Sequence, residues 1–301
     1  MHLIIQPKDG LVPLIAAIKK ATKQIDITIF RFGLKELQRA LESAVARGVK
    51  VHALIAHTSG GGQKRLRRLE LEMLSAGVTV SRTDDDLLRY HYKMLLIDRE
   101  VLYTQAFNYT RLDIEKSRTM AVATKNKAIV SEAIKLFEAD VARQPYSATH
   151  DNFLVSPENA RAALARFIKS AKKQLLIYDM KISDRPMIKL LQERVKAGVD
   201  VRIIGKVGKK GEGLTAEKMP GMRLHVRAML RDGQEMFLGS MSLRALELDK
   251  RREVGVIVKE QSAAKRFREI FEEDWSKTDS AKKKADKNKK DEKREAEAAA
   301  S

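Results

Sequence analysis

The chain has no cysteine, which excludes disulfides, thiolate metal sites and cysteine nucleophiles, and fits a reducing compartment. It lacks any run of the eighteen or so apolar residues that a membrane span needs. Its first residues, MHLIIQPKDG, do not have the basic-then-apolar layout of a signal peptide, so a cytoplasmic location is expected. Aromatic residues make up only 5%, too few to argue for base stacking or for interfacial anchoring. Neither glycine cluster, SGGG nor GKVGKKGEG, ends in the G-K-[ST] of a nucleotide loop, so both are expected to be loops.

What is present is a globular composition, 44% hydrophobic and 33% charged, with a formal charge of +19 over 301 residues. Residues 277–301 supply only +3 of that charge, so the body itself is basic and attracts polyanions, whether nucleic acid or an anionic membrane surface. Residues 278–301 are lysine-rich and without apolar periodicity, and are expected to form a disordered tail.

The rest of the chain repeats itself. Pro7 falls on Pro157, Ile18 on Ile168, Lys19 on Lys169, Gly48 on Gly198 and Val51 on Val201, without a gap. Each copy predicts a short strand and then a helix with apolar positions at 3.6 spacing (Leu14, Ile15, Ile18; Leu164, Phe167, Ile168). A buried strand follows (25–30; 175–178), then a helix stopped by Gly48 or Gly198, and a further strand (49–55; 199–204). Alternating strands and helices predict α/β halves, residues 1–149 and 150–277, each a sheet flanked by helices. After the last of those strands the first half carries extra residues that read as a flexible loop, a basic helix and an additional strand.

Two of the six histidines open the same pattern: His91, Lys93 and Asp98 in HYKMLLID, and His225, Arg227 and Asp232 in HVRAMLRD. Two occurrences of H-x-[KR]-x-x-x-x-D are improbable as an accident. Asn108 follows the first histidine at the spacing at which Ser242 follows the second, so the repeat runs through both motifs. Strand alternation puts each histidine and its cation on one side, so each half can present an imidazole beside a positive charge.

That pairing suits phosphodiester cleavage without a metal or other cofactor. A neutral imidazole attacks phosphorus and forms a phosphohistidine, and a protonated one gives a proton to the leaving oxygen. Both states are accessible near the reference histidine pKa of about 6.5. Lys93 and Arg227 would neutralise the non-bridging oxygens, with Asn108, Ser240 and Ser242 adding neutral hydrogen bonds. Asp98 and Asp232 fit orienting roles better than proton transfer. His52 and His57 read as surface or loop-facing, His2 and His150 carry no assigned role, and the run Asp84–Asp86 reads as a solvated turn rather than a metal site.

The paired motif, with its G-S-x-N-like segment downstream, resembles the phospholipase D superfamily over residues 1–277. The resemblance implies two phospholipase D-like α/β halves related by a pseudo-twofold axis, one site at their interface, and a ping-pong mechanism without cofactor in which His91 is the nucleophile and His225 the general acid. It also implies an acidic residue that orients a histidine. Glu253 in RREVGVIV fits and is expected to support His225, which leaves the opposite assignment of nucleophile and acid open, whereas Thr119 holds the matching place in the first half. Further departures are Arg227 for lysine, Ser242 for asparagine, and Gln105 and Ala106 for glycine and serine. Fusion of two motifs in one chain resembles the lipid-acting members. The expected function is therefore a phosphodiesterase or phosphatidyltransferase acting on phospholipid head groups, in peripheral contact with an anionic membrane. A nuclease using the same site is the alternative, and a non-catalytic polyanion-binding protein the third reading. Since the two halves complete one site, a monomer suffices.

Overall fold

The computed structural model describes residues 2–58 and 62–281. The residues after 281 of the expected tail, and residues 59–61 of the first glycine cluster, lie outside the described residues. From the N-terminus run β1 (His2–Gln6), α1 (Val12–Lys20), β2 (Gln24–Ile29), α2 (Lys35–Ala46) and β3 (Lys50–Ile55). Next come α3 (Gln63–Ser75), β4 (Thr79–Arg82), β5 (Arg89–Tyr90), β6 (Met94–Ile97), β7 (Val101–Gln105), α4 (Arg111–Glu115), β8 (Ser117–Thr124) and α5 (Lys127–Ala142). The second series is β9 (Phe153–Ser156), α6 (Ala160–Lys169), β10 (Gln174–Ile182), α7 (Arg185–Lys196), β11 (Asp200–Val207) and β12 (Thr215–Glu217). It closes with β13 (Arg223–Leu224), β14 (Arg227–Arg231), β15 (Glu235–Gly239), α8 (Ala245–Asp249), β16 (Arg251–Val258) and α9 (Gln261–Ser276).

The repeat is visible in the local chemistry. Leu14 and Ile18 of α1, and Leu164 and Ile168 of α6, are the buried stripe that the 3.6 spacing predicts. Gly48 and Gly198 follow α2 and α7 at φ +86° and +82°, where a side chain would be strained, and each turns the chain into the next parallel strand. The basic helix and added strand expected in the first half are α3 and β4. In the second half the expectation that the whole glycine cluster is a loop is corrected, because residues 205–207 continue β11, and residues 215–217 form β12 beside β11 as β4 lies beside β3.

One sheet has the order β1-β8-β7-β6-β2-β3-β4, the other β12-β11-β10-β14-β15-β16-β5, with β9 also on β16. Two strands cross over. The short β5 pairs in parallel with β16, and β13 pairs in parallel with β8, so the segment just before each histidine motif lies against a strand of the other sheet. Separate cores underlie the two sheets, around Leu37, Leu41 and Ile55 in one and Leu164, Ile177 and Ile203 in the other. The largest cluster joins them, packing Leu102, Val122 and Phe137 with Leu238, Val256, Phe267 and Phe271. Among the described residues no helix is long and apolar enough to cross a membrane.

Candidate active site

The crossed strands hold the two histidines in equivalent ways. The His91 N–H donates to the Arg252 carbonyl at 2.8 Å, and the His225 N–H to the Arg118 carbonyl at 2.9 Å. Each histidine therefore leaves its own half on a backbone bond to the other, and the side chains meet where the sheets abut. His91, Lys93, Asn108, His225, Arg227, Ser242 and Glu253 are all buried there.

His91 Nδ1 lies 2.9 and 3.0 Å from the two oxygens of Glu253. With the ring proton on Nδ1, Glu253 accepts it and Nε2 carries the lone pair. The expectation that Glu253 supports His225 is thus corrected: β16 is drawn against β5, beside the first motif, so its carboxylate faces the first histidine. Lys93 Nζ stands 3.0 Å from His91 Nε2, and Phe30 closes the pocket edge-on to the imidazole at 4.5 Å. Burial, reinforced by the Lys93 and Arg227 charges, pushes His91 well below its ordinary value and keeps the imidazole neutral. Burial also lowers Lys93, to about 7, although Glu253 opposes the shift. Burial raises Glu253 against the pull of Lys93, Ser240 and Arg227.

His225 is served by a residue that the motifs did not single out. Its Nδ1 is 3.2 Å from Asp113 Oδ1, within ion-pair distance but without hydrogen-bond geometry. Asp113 comes from α4, whose N-cap Thr110 side chain accepts the Asp113 N–H, and its Oδ2 accepts both the backbone and side-chain amides of Asn108. Burial alone would raise Asp113, but the nearby His225 imidazole and the hydrogen bonds from Asn108 and Arg223 hold it below the usual carboxylate range. Burial lowers His225 to about 4, with Asp113 pulling upward and Arg227 and Arg223 downward. Glu247, at the matching place in the second half, accepts the Ser242 N–H at 2.6 Å. The repeat register contained this signal, since Asp113 follows Asn108, and Glu247 follows Ser242, at one spacing. Thr119 donates its hydroxyl to the His225 carbonyl at 2.8 Å.

Other expected residues fall into distinct places. Arg227 Nε donates to Ser242 Oγ at 3.3 Å, so the serine steadies the guanidinium. Arg227 Nη1 and Asn108 Oδ1 are buried without a hydrogen-bond partner, a costly state that an anionic ligand at the guanidinium would relieve. Ser240 is turned into the sheet, its Oγ accepting the Val254 N–H at 3.2 Å, so it braces the strand that carries Glu253. Asp98 and Asp232, expected among the catalytic set, stand apart from the site. Asp98 accepts the backbone amides of Thr22, Lys23 and Gln24, and Asp232 those of Lys172, Lys173 and Gln174, so both close the turns leading into β2 and β10. His52 is half-buried against Ser81. The Asp84–Asp86 run lies in the connection from β4 to β5, and no group of three or more metal-ligating side chains occurs among the described residues.

A cavity of about 760 Å³ opens onto Asn108 and Asp113. Arg31, Lys64, Arg65 and Arg223 give it a cationic wall, and Phe32, Leu66 and Leu112 an apolar one.

A family profile described as "Cardiolipin synthase, PLD-like domain" matches residues 14–141 and 164–275, most of the chain and both motifs. The chain belongs to the phospholipase D-like family. Among curated proteins it is similar to the mitochondrial cardiolipin hydrolases of human and mouse, 28% identical over 134 residues or 44% of this chain. It covers 50% of the human protein and 58% of the mouse one, so it spans about half the length of these relatives. Among solved structures, the phospholipase D-like fold is shared with polyphosphate kinase of Porphyromonas gingivalis. That match has a TM-score of 0.72 at 21% identity, over 90% of this chain and 46% of that one. A phosphatidylserine synthase of Haemophilus influenzae matches at TM-score 0.64 and 10% identity, over 87% of this chain and 82% of that one. Both show the fold alone.

Proposed function

We propose that the protein is a phospholipase D-type phosphodiesterase or phosphatidyltransferase that acts on phospholipid head groups through a phosphohistidine, with residues 1–149 and 150–277 each supplying half of one site. The observation that carries this reading is the hydrogen bond from His91 Nδ1 to Glu253, which aims a neutral Nε2 into a pocket of buried cations. Nε2 attacks phosphorus and the bond to the leaving oxygen breaks, while protonated His225 gives that oxygen its proton. Water or an alcohol then attacks the phosphohistidine, returns a proton to His225, and frees His91. Lys93 and Arg227 neutralise the non-bridging oxygens throughout, which is the charge a metal would otherwise provide. Lipid is favoured as substrate by the names of the curated relatives and of the matching family. Peripheral contact with an anionic membrane fits the cationic and apolar walls of the cavity. The same four cations favour nucleic acid as the second reading.

The test is turnover of bis(p-nitrophenyl) phosphate in EDTA by the protein beside His91→Ala and His225→Ala. EDTA-resistant turnover lost in both variants is expected, and phospholipid and DNA then decide the substrate. Absence of turnover on all of these would leave a non-catalytic polyanion-binding protein.

A further inference from the structure

His225 lies at a junction of charges from several elements. Asp113 reaches it from α4, Arg223 precedes it on β13 and Arg227 follows it on β14, while β8 contributes the neutral Thr119 hydroxyl and the Arg118 carbonyl. Lys93 of the first motif also acts on Asp113. One oxygen of Asp113 has two claimants: Oδ1 is 3.2 Å from His225 Nδ1 and 2.5 Å from Arg223 Nη1. Since Oδ2 is fixed by Asn108, the carboxylate is not free to turn and offer each claimant its own oxygen.

Within this trio Arg223 is the exposed member, held at Nη1 by Asp113 and by Ser117 Oγ at 3.0 Å. Its side chain is 38% exposed against 2% for Asp113 and 6% for His225. It also lines two cavities, the cleft that opens onto Asp113 and a second of about 380 Å³ bordered by Lys206, Lys218 and three methionines. The surroundings of His91 are built otherwise. Glu247, at the place matching Asp113, pairs with Arg244 and Arg251, and His91 Nδ1 reaches both oxygens of Glu253, from which Arg251 stands farther off at 3.8 Å.

We propose that Arg223 is a positioning residue that couples anion binding in the cleft to protonation of His225. With the cleft empty, its guanidinium shares the Asp113 carboxylate. A phosphate or other anionic group entering the cleft draws it away and leaves Asp113 to the imidazole, which takes a proton from solvent on Nε2. This proton is the one later given to the leaving oxygen, so the inference rests on the role of His225 in the proposed reaction. It also resolves a conflict there: in the free protein burial keeps His225 uncharged at neutral pH, yet the reaction needs an acid. The acid forms only once the substrate's charge is in place.

The experiment is an NMR titration of protein labelled at its six histidines, with and without inorganic phosphate. Arg223→Gln is expected to raise the His225 pKa in the free protein by about one pH unit, a tenfold gain in proton affinity, and to shrink the further rise that phosphate causes. In an Asp113→Asn background the effect of Arg223→Gln is expected to shrink to the smaller rise that removal of direct repulsion from the guanidinium gives. Arg223→Met provides a second readout should glutamine disturb the fold. An unchanged His225 in Arg223→Gln, an equal phosphate response with and without Arg223, or an effect undiminished without the Asp113 charge would each overturn the coupling, the last by showing direct repulsion alone. The titration needs no turnover. Loss of the phosphohistidine reading would show instead as activity surviving in His91→Ala or His225→Ala.

Discussion

Lys93 shows how one buried charge can limit the pH range of the site. It is 1% exposed, packs over Phe30 at 5.4 Å, and burial brings its pKa to about 7. Below that value it is an ammonium ready to meet a phosphodiester; as pH rises through it, the free protein loses the charge. kcat/KM is therefore expected to fall above about pH 7, while kcat holds to higher pH because the bound anion stabilises the ammonium. Lys93→Arg keeps a charge that does not titrate and is expected to remove this alkaline limb, at a lower rate because the planar fork fits a compact pocket poorly. pH profiles of kcat and kcat/KM for both proteins make the comparison, and a limb that persists in Lys93→Arg would assign it to another group.

At the scale of elements, buried ion pairs sew one half to the other beside the crossed strands. Arg118 of β8 makes a bidentate pair with Asp274 of α9 at 2.7 and 2.8 Å, and Tyr178 donates to the same carboxylate at 2.6 Å. The mirrored pair, Arg252 of β16 with Asp140 of α5, is looser at 3.4 Å, and burial raises Asp140 to about 6. Both arginines follow the same logic: each precedes, by one residue, the position of Thr119 or Glu253 and so anchors the strand that faces the other half's histidine. Asp274→Asn would strand a guanidinium in the interior and is expected to cost about 3–5 kcal/mol in urea unfolding. Glu100→Gln, which breaks a pair exposed on both sides (71% and 68%), is expected to cost less than about 1 kcal/mol. Equal small losses would mean that water reaches the Arg118 pair.

For the whole molecule, the positive charge is both long-range and local. A net charge of +19 steers anions to the surface generally, but Arg31, Lys64, Arg65 and Arg223 concentrate it at the cavity lined by Asn108 and Asp113. Leu71 and Leu74, 67% and 54% exposed, extend the same helix α3 that brings Lys64 and Arg65 to the cavity. Lys64→Gln with Arg65→Gln is expected to raise KM for vesicles of anionic phospholipid by about tenfold and to weaken its dependence on salt, since fewer counterions are released. KM measured across salt concentrations checks this, and an unchanged slope would move the docking face elsewhere.

Much of this molecule is legible in its sequence because the determining physics is local. Apolar spacing sets α1 and α6, Gly48 and Gly198 stop the helices that follow, and two histidine–cation pairs recur in register, so the α/β halves and the side chains that gather at their junction can be read before any contact is known. The tertiary structure alone decided which carboxylate serves which histidine. Spacing places Glu253 after His225 and Asp113 after His91, but the exchange of β5 and β13 between the sheets turns each acid toward the histidine of the other half. It also decided that Asp98 and Asp232, written into the same motif, hold backbone amides at the turns into β2 and β10. A pattern along the chain records which residues recur together; which of them touch depends on how two sheets cross, and that is a property of their packing.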